Sequence, residues 1–253
     1  MNAVLLSGLS VFILVLTHWL TPHLRKACRY NNAILNSMGA GFSLGYVFLH
    51  MIPSFLNDLP SFQHGVSSSY LLNEKKTLFT VFLVVISGFC SWYWLEKLAH
   101  SYTKKGLEAG KLIYCSHIGM MSYLSFTIGA SSLMVSQDGY HNLMVFTFVM
   151  GLSFLLEDHS LNYHFPTQFK KQGRYIIMLG LVCGWLFSLL IHDSMKIIVE
   201  IVLNAFLAGA LVLSVAKTEF SLLEDKSHFP TFIISLFVKA LIVFAMLALE
   251  DKI

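Results

Sequence analysis

Long apolar stretches separated by short polar segments run along the whole chain. Eight stretches are about 15 to 24 residues long, the length that crosses a hydrocarbon core of about 30 Å as a helix. They are 4–20, 33–56, 78–95, 113–135, 142–156, 175–191, 197–215 and 229–249. Backbone polar groups in lipid must be bonded within their own segment, and the alternation of a barrel strand is absent. The pattern predicts an all-α integral membrane protein, built as an eight-helix transmembrane bundle.

The polar segments between the stretches are short. The longest, 57–77, has about twenty residues, too few for a separate soluble domain. We therefore expect residues 1–253 to form a single polytopic membrane domain. The first stretch has no positively charged start and no small-residue cleavage site, so we expect it to stay attached as a helix.

Lys and Arg are unevenly divided between the segments that alternate along such a bundle. Twelve follow stretches one, three, five and seven: Arg25, Lys26, Arg29, Lys97, Lys104, Lys105, Lys111, Lys170, Lys171, Arg174, Lys217 and Lys226. Four lie in the other segments and the tail: Lys75, Lys76, Lys196 and Lys252. Because positively charged loops stay in the cytoplasm, both termini are predicted to be extracytoplasmic.

Composition supports a membrane protein. Hydrophobic residues make up 56% of the chain and charged residues 12%, whereas a soluble domain has about 25% charged residues. The formal charge of +3 is spread over short segments, without a basic arm or stripe. Nucleic acid is therefore not an expected partner.

Motifs of soluble enzymes are absent from the sequence. It has no Gly-rich phosphate loop, no GxSxG turn and no HExxH motif. The cysteines are single and scattered, as expected of small core residues: Cys28, Cys90, Cys115 and Cys183. We expect no enzyme activity and no cofactor. An intramembrane metal-dependent hydrolase is the least favoured alternative, because it needs three converging ligands and an open position for water.

Small residues recur four apart in two stretches. Gly41 and Gly45 form one such pair, and Gly180 and Gly184 form the other. Pairs of this kind let membrane helices approach closely, so we interpret both as packing contacts.

Ionisable residues inside apolar stretches are costly to bury and are functional candidates. Near the predicted cytoplasmic ends are His18, Glu96, His117, Glu157, Asp158 and His159; near the outer ends are His50 and Glu200, with Lys239 close to mid-depth. Imidazole and carboxylate groups from facing helices bind zinc and similar ions. The histidines and carboxylates of this set are therefore candidate metal ligands.

Glu157, Asp158 and His159 are consecutive and lead into 160–174, a predicted cytoplasmic loop. On a helix the three side chains point about 100° apart, so at most two can hold one ion. A metal site would add His117 from the neighbouring stretch, or His164 from the loop. The alternative is a solvated helix end with a structural histidine.

Two further candidates lie toward the outer half of the bundle. Glu200 and Lys239 are within about two turns of each other in depth, and we expect a static ion pair that locks two helices. The alternatives are a gated pair or a site for a substrate carboxylate. His50, just ahead of Pro53, is a weaker metal-ligand candidate, because a lone histidine at a helix end is more often a hydrogen-bonded cap.

Several stretches resemble the ZIP family of divalent-metal transporters. The second reads GAGFSLGYVFLHMIP, the third ends SGFCSWYWLEKL, and the seventh reads NAFLAGALVLSVAKTEF and leads to Glu219. Asp158 and His159, followed by Gly173 and Arg174, are similar to a pattern in divergent prokaryotic ZIP-like proteins. The resemblance covers nearly the whole chain and implies eight spans with both termini outside.

The usual metal motifs of that family are missing here. ZIP transporters hold metal with a His-Asn-x-x-Asp type motif in the fourth span and a His-Glu-x-x-His type motif in the fifth. The corresponding fourth-span positions are Met120, Met121 and Leu124, and 142–156 contains no ionisable residue. Without mid-membrane ligands, the dehydration of a divalent cation is not offset. The resemblance therefore implies a non-standard site.

We accordingly expect a ZIP-like membrane protein that moves or binds a zinc- or iron-type divalent ion through a non-standard site. His117, Glu157, Asp158 and His159 are its expected residues. The alternative is a non-transporting ZIP-like scaffold or sensor. The expected partners are the lipid bilayer and the divalent metal ion. A homodimer is the one protein assembly that we consider. The inside-positive bias and the lack of a targeting segment favour a bacterial plasma membrane, and an internal membrane of a eukaryote is the alternative.

Overall fold

The computed structural model describes residues 3–27, 32–66, 74–104, 109–137, 139–191, 193–220 and 228–250. These residues are helical almost throughout, and no strand occurs among them. The α-helices are α1 (Ala3–Ala27), α2 (Asn32–Tyr46), α3 (Ile52–Asn57), α4 (Leu59–Val66), α5 (Glu74–Lys104), α6 (Ala109–Gln137), α7 (Tyr140–His164), α8 (Pro166–Gln168), α9 (Arg174–Leu190), α10 (Asp193–Phe220) and α11 (Phe229–Glu250). Two π-helical turns, Val47–Met51 and Phe169–Gly173, join α2 to α3 and α8 to α9.

Six helical segments of the described chain are long and apolar enough to cross a membrane. They are Ala3–Thr21, Ser37–Asn57, Glu74–Leu95, Gly110–Gln137, Pro166–Leu190 and Met195–Ala216. Two shorter apolar helices lie at Tyr140–Leu155 and Phe229–Ala245. The chain is therefore an all-α protein with multi-pass membrane character, as its apolar pattern predicts.

Each long helix packs mainly against a helix that is distant in the sequence. α1 packs against α7, α2 against α11, α5 against α10, and α6 against α9. Buried apolar side chains fill the space between the pairs, among them Leu14, Val47, Phe154 and Leu207. The outer faces carry exposed large apolar side chains such as Phe244, which suits contact with lipid tails.

Glycines bring α5 and α10 into direct backbone contact. Gly88 of α5 lies against the carbonyl group of Phe206, and Gly209 of α10 lies against the carbonyl group of Val85. A methyl group at either glycine would collide with backbone atoms of the partner helix. The close approach of these two helices therefore requires glycine at both positions.

The two small-residue pairs in the sequence serve the same purpose. Gly41 and Gly45 of α2 seat α11, and a Cβ added at Gly45 would lie 2.7 Å from the Cγ of Lys239. Gly180 and Gly184 of α9 seat α6 in a similar way. Both pairs are packing contacts, as predicted.

Residues 160–174 differ from the predicted loop. α7 continues to His164, the chain bends at Phe165, and Pro166 starts the next helix. Phe165 has φ −133° and ψ 59°, because the residue before a proline is disfavoured in the helical conformation. The break is thus a single residue, and the π-helical turn Phe169–Gly173 continues the helix into α9.

Candidate functional site

A histidine and an aspartate form a buried pair between α1 and α7. The Nδ1 of His18 lies 2.6 Å from the Oδ2 of Asp158, and both side chains are completely buried. Since an ionised carboxylate can only accept hydrogen bonds, Nδ1 donates to Oδ2 and the proton of a neutral ring sits on Nδ1. The second ring nitrogen, Nε2, is then a lone-pair donor.

Helix geometry brings the two residues together. Leu14, His18 and Thr21 recur at spacings of four and three, so they lie on one buried face of α1. Phe154 and Asp158, four apart, lie on the facing side of α7. The pair is therefore a polar contact within an otherwise largely apolar helix interface.

Neighbouring side chains hold the imidazole in place. The ring of Phe154 packs against it, with the ring centroids 4.3 Å apart. The hydroxyl of Thr21 lies 3.5 Å from Oδ2 of Asp158 and also donates to the carbonyl of Thr17 at 2.9 Å. Asn162, one turn beyond Asp158 on α7, is completely buried as well. The orientation of the His18 ring is thus set by contacts on two sides, with Asp158 and with Phe154.

Two buried atoms of the pair have no hydrogen-bond partner among the described residues. They are the Nε2 of His18 and the Oδ1 of Asp158. Buried polar atoms in native proteins are usually satisfied by protein, water or an ion. A histidine that donates Nδ1–H to a carboxylate and presents a free Nε2 is the arrangement in which histidine binds divalent metal ions.

Asp158 was a predicted metal ligand, and its surroundings settle one alternative. Because its side chain is completely buried, Asp158 is not part of a solvated helix end. The backbones of Glu157 and His159 lie in α7, but their side chains are outside the described residues, as is that of His164. The cluster predicted around them therefore stays a prediction.

His117, the fourth predicted ligand of that cluster, lies on α6. Its Nδ1 is 2.8 Å from the carbonyl oxygen of Ile113, so Nδ1 donates within its own helix. The ring packs edge-on against Trp92, with centroids 5.6 Å apart. Within the described part of the chain, no three His, Cys, Asp or Glu side chains converge as a metal site.

The outer candidates His50 and Lys239 meet at one aromatic ring. His50 stacks on Tyr46 with centroids 5.3 Å apart, and the Nζ of Lys239 lies 5.3 Å from the centre of the same ring. No carboxylate of the described residues lies within 4.0 Å of the Lys239 ammonium. The expected pair with Glu200 is thus not among the contacts of Lys239, because α11 packs mainly on α2 and α10 mainly on α5, rather than on each other.

The centre of the bundle, where the ZIP resemblance implies a metal path, holds a cavity of about 10 Å³. It is lined by Ser43, Tyr46, Leu124, Ile128, Met150, Ser153, Phe154 and Leu211. None of these is a histidine, cysteine or acidic residue, and the volume suits about one water molecule. The lining of this cavity therefore offers no usual ligand of a zinc-type ion.

Sequence reasoning identified Asp158 but not its partner. His18 was recognisable as an ionisable residue at the same predicted depth, and Asn162 as the residue four positions after Asp158. The sequence alone does not show that α1 and α7 are neighbours. That information comes only from the packing of the whole bundle.

Comparison with known proteins does not assign the chain to a group. No family model matches it, and no curated protein matches it either.

Proposed function

We propose that this protein is a ZIP-like membrane protein that binds a divalent metal ion, with His18 and Asp158 at the centre of the binding site. The observation that carries the proposal is the buried pair, with Nδ1 of His18 held at 2.6 Å and Nε2 without a described partner. An imidazole oriented by a carboxylate is a common zinc ligand.

The predicted residues Glu157 and His159 flank Asp158, and one of them is the proposed source of a further ligand, because at most two of the three consecutive side chains can hold one ion. Oxygen and nitrogen donors of this kind suit zinc- and iron-type ions. His117 remains a candidate from α6, where its Nδ1 donates to the carbonyl of Ile113. The metal ion is here the substrate or signal, not a resident cofactor.

Two roles for such a site are in competition. The ZIP resemblance favours transport of the ion. The small central cavity, lined without acidic or histidine side chains, favours the second candidate, a scaffold or sensor that binds the ion without passing it. The intramembrane hydrolase has no supporting observation beyond the histidines.

The proposed topology has eight spans with both termini outside the cytoplasm. Its support is the bias of twelve Lys and Arg against four between alternate segments. α7 and α11 are the two short apolar helices that it requires to span. A bacterial plasma membrane and a homodimer are part of the same proposal.

Zinc binding to the purified protein tests the site. Equilibrium dialysis with Zn²⁺ should give stoichiometric binding for the wild type, and a loss of affinity of about 10-fold or more for His18→Ala and Asp158→Asn. His141→Ala is a matched control, because His141 is an exposed histidine on α7. Equal binding by all four proteins, each verified as folded, would refute the site.

Flux measurements then separate the two roles. Uptake of Zn²⁺, Fe²⁺, Mn²⁺ and Cu⁺ is measured in proteoliposomes, with empty liposomes as the blank. Uptake by the wild type and the His141 variant, lost in the His18 and Asp158 variants, would support transport. Binding without uptake of any ion would support the scaffold or sensor.

A further inference from the structure

A lysine lies buried in the middle of α11. Lys239 is only 1% exposed, although it is ten residues into an apolar helix that begins at Phe229. At 1.5 Å per residue it is about 15 Å from that helix end. Its ammonium therefore lies near the middle of a hydrocarbon core, too deep for its side chain to reach headgroup water.

The side chain is also fixed against α2. Its stem crosses Gly45 so closely that an added Cβ there would lie 2.7 Å from the Cγ of Lys239. The Nζ then lies over the ring of Tyr46. A cation–π contact of this kind stabilises an ammonium group, but it does not neutralise its charge.

Among the described residues, the groups around the ammonium do not include a counter-charge. No carboxylate of the described residues lies within 4.0 Å of it. Another polar group that contacts the Tyr46 ring is the imidazole of His50. His50 lies in the π-helical turn Val47–Met51 and is half-buried. π-helical turns are frequent at functional sites, and this one places an imidazole on the same tyrosine ring that the buried lysine contacts.

A buried cation without an anionic partner is unfavourable, and an anion from solution offsets that cost. The stem of Lys239 packs closely against Gly45, which favours a small ion, and a lipid phosphate cannot reach this depth. We propose that Lys239, Tyr46 and His50 form a binding site for a small inorganic anion of chloride size. The Lys239 ammonium repels a metal cation, so this site is separate from the one at His18 and Asp158.

Chloride binding to the full-length protein tests this site directly. The probe is the ³⁵Cl NMR linewidth of chloride added to the purified protein in a neutral detergent, with EDTA present so that no divalent metal contributes. We expect excess broadening with the wild type and its loss with Lys239→Met. Lys97→Met, which removes an exposed lysine on α5, is the matched control and should broaden like the wild type.

The thermal stability of the wild-type protein is a second readout, and it does not depend on any substitution at Lys239. Replacing gluconate with chloride at constant ionic strength should raise the Tm of the wild type by about 3 °C. Methionine resembles lysine in volume, and an apolar replacement of a buried charge is often neutral or stabilising, so Lys239→Met should fold with a Tm insensitive to chloride.

Either of two results would overturn the proposal. One is a wild-type linewidth and Tm that do not respond to chloride, which means that Lys239 is held without an anion. The other is chloride broadening that persists in Lys239→Met. Neither result bears on zinc binding at His18, because the metal is absent from both measurements.

Discussion

The hydroxyl oxygens of Ser10 and Thr147 lie 2.6 Å apart across the contact of α1 and α7. Thr147 donates its hydrogen to the carbonyl of Leu143 at 2.7 Å, so Ser10 is the donor in the contact between the two hydroxyls. Ser10 is eight residues before His18, about 12 Å along the helix. The two polar contacts therefore fasten the same pair of helices on either side of Leu14.

The Ser10–Thr147 contact should be modest in energy. Interhelical hydrogen bonds in membranes average roughly 0.6 kcal/mol, because the unfolded chain also finds partners. A double-mutant cycle with Ser10→Ala and Thr147→Ala, measured by unfolding in mixed detergent, should give a coupling free energy of about that size. Additive single effects would show that the two hydroxyls do not interact.

Phe154 should contribute far more to stability than a lipid-facing phenylalanine on the same helix. It is completely buried, covers the His18 ring and lines the central cavity. Phe154→Ala enlarges that cavity and should lower the free energy of unfolding by about 3 kcal/mol. Phe148→Ala is the control, since Phe148 is 66% exposed and should cost little. Equal losses for the two variants would contradict this packing.

Gly209→Ala should separate α10 from α5. The added methyl group would collide with the Val85 carbonyl, so the helices must move apart, at a cost of about 2 kcal/mol. Gly119→Ala is the matched control: nothing lies within 4 Å of its added Cβ, and alanine is the better helix former by about 1 kcal/mol. The Tm values of the two variants should therefore lie on opposite sides of that of the wild type. A Gly209 variant as stable as the wild type would refute the contact.

Cys90 and Cys183 report on the outer faces of the bundle. Both are exposed, on α5 and α9, within segments able to cross a membrane. A charged reagent does not enter the hydrocarbon layer, so a charged maleimide should label neither residue in permeabilised vesicles but both in SDS. The labelling uses a protein in which the other two cysteines are replaced, by Cys28→Ser and Cys115→Ser.

Lys97→Cys is the positive control for that labelling, because Lys97 is exposed on α5 just beyond the apolar segment. It should react rapidly in permeabilised vesicles. Rapid labelling of Cys90 or Cys183 under the same conditions would show that those faces meet water.

Local sequence was sufficient for the helices but not for their limits. The apolar run 78–95 predicts a span, yet α5 extends from Glu74 to Lys104, because polar residues continue a helix once it has left the apolar layer. The turn at Phe165 was similarly readable from Pro166. A predicted loop around it was wrong, since a proline at the first helical position starts the next helix rather than a coil.

The candidate site depended on tertiary contacts. His18 and Asp158 are separated by 140 positions, and no periodicity relates residues so far apart. Tyr46 and His50, by contrast, are four apart and stack within one helical run, a contact that helical spacing alone indicates. We expected Lys239 to meet Glu200 because the two residues lie at similar depths in the predicted bundle. A similar depth does not determine which helices are neighbours.

The pairing of helices also bears on how the chain is made. α2 leaves the ribosome well before α11, which fills the groove over Gly41 and Gly45. α2 must therefore wait in the bilayer with its glycine surface covered only by lipid until α11 has been synthesised. Release of a chain truncated before Phe229 would leave that groove open, and quality-control proteases that sample unpaired helices would have a defined feature to recognise.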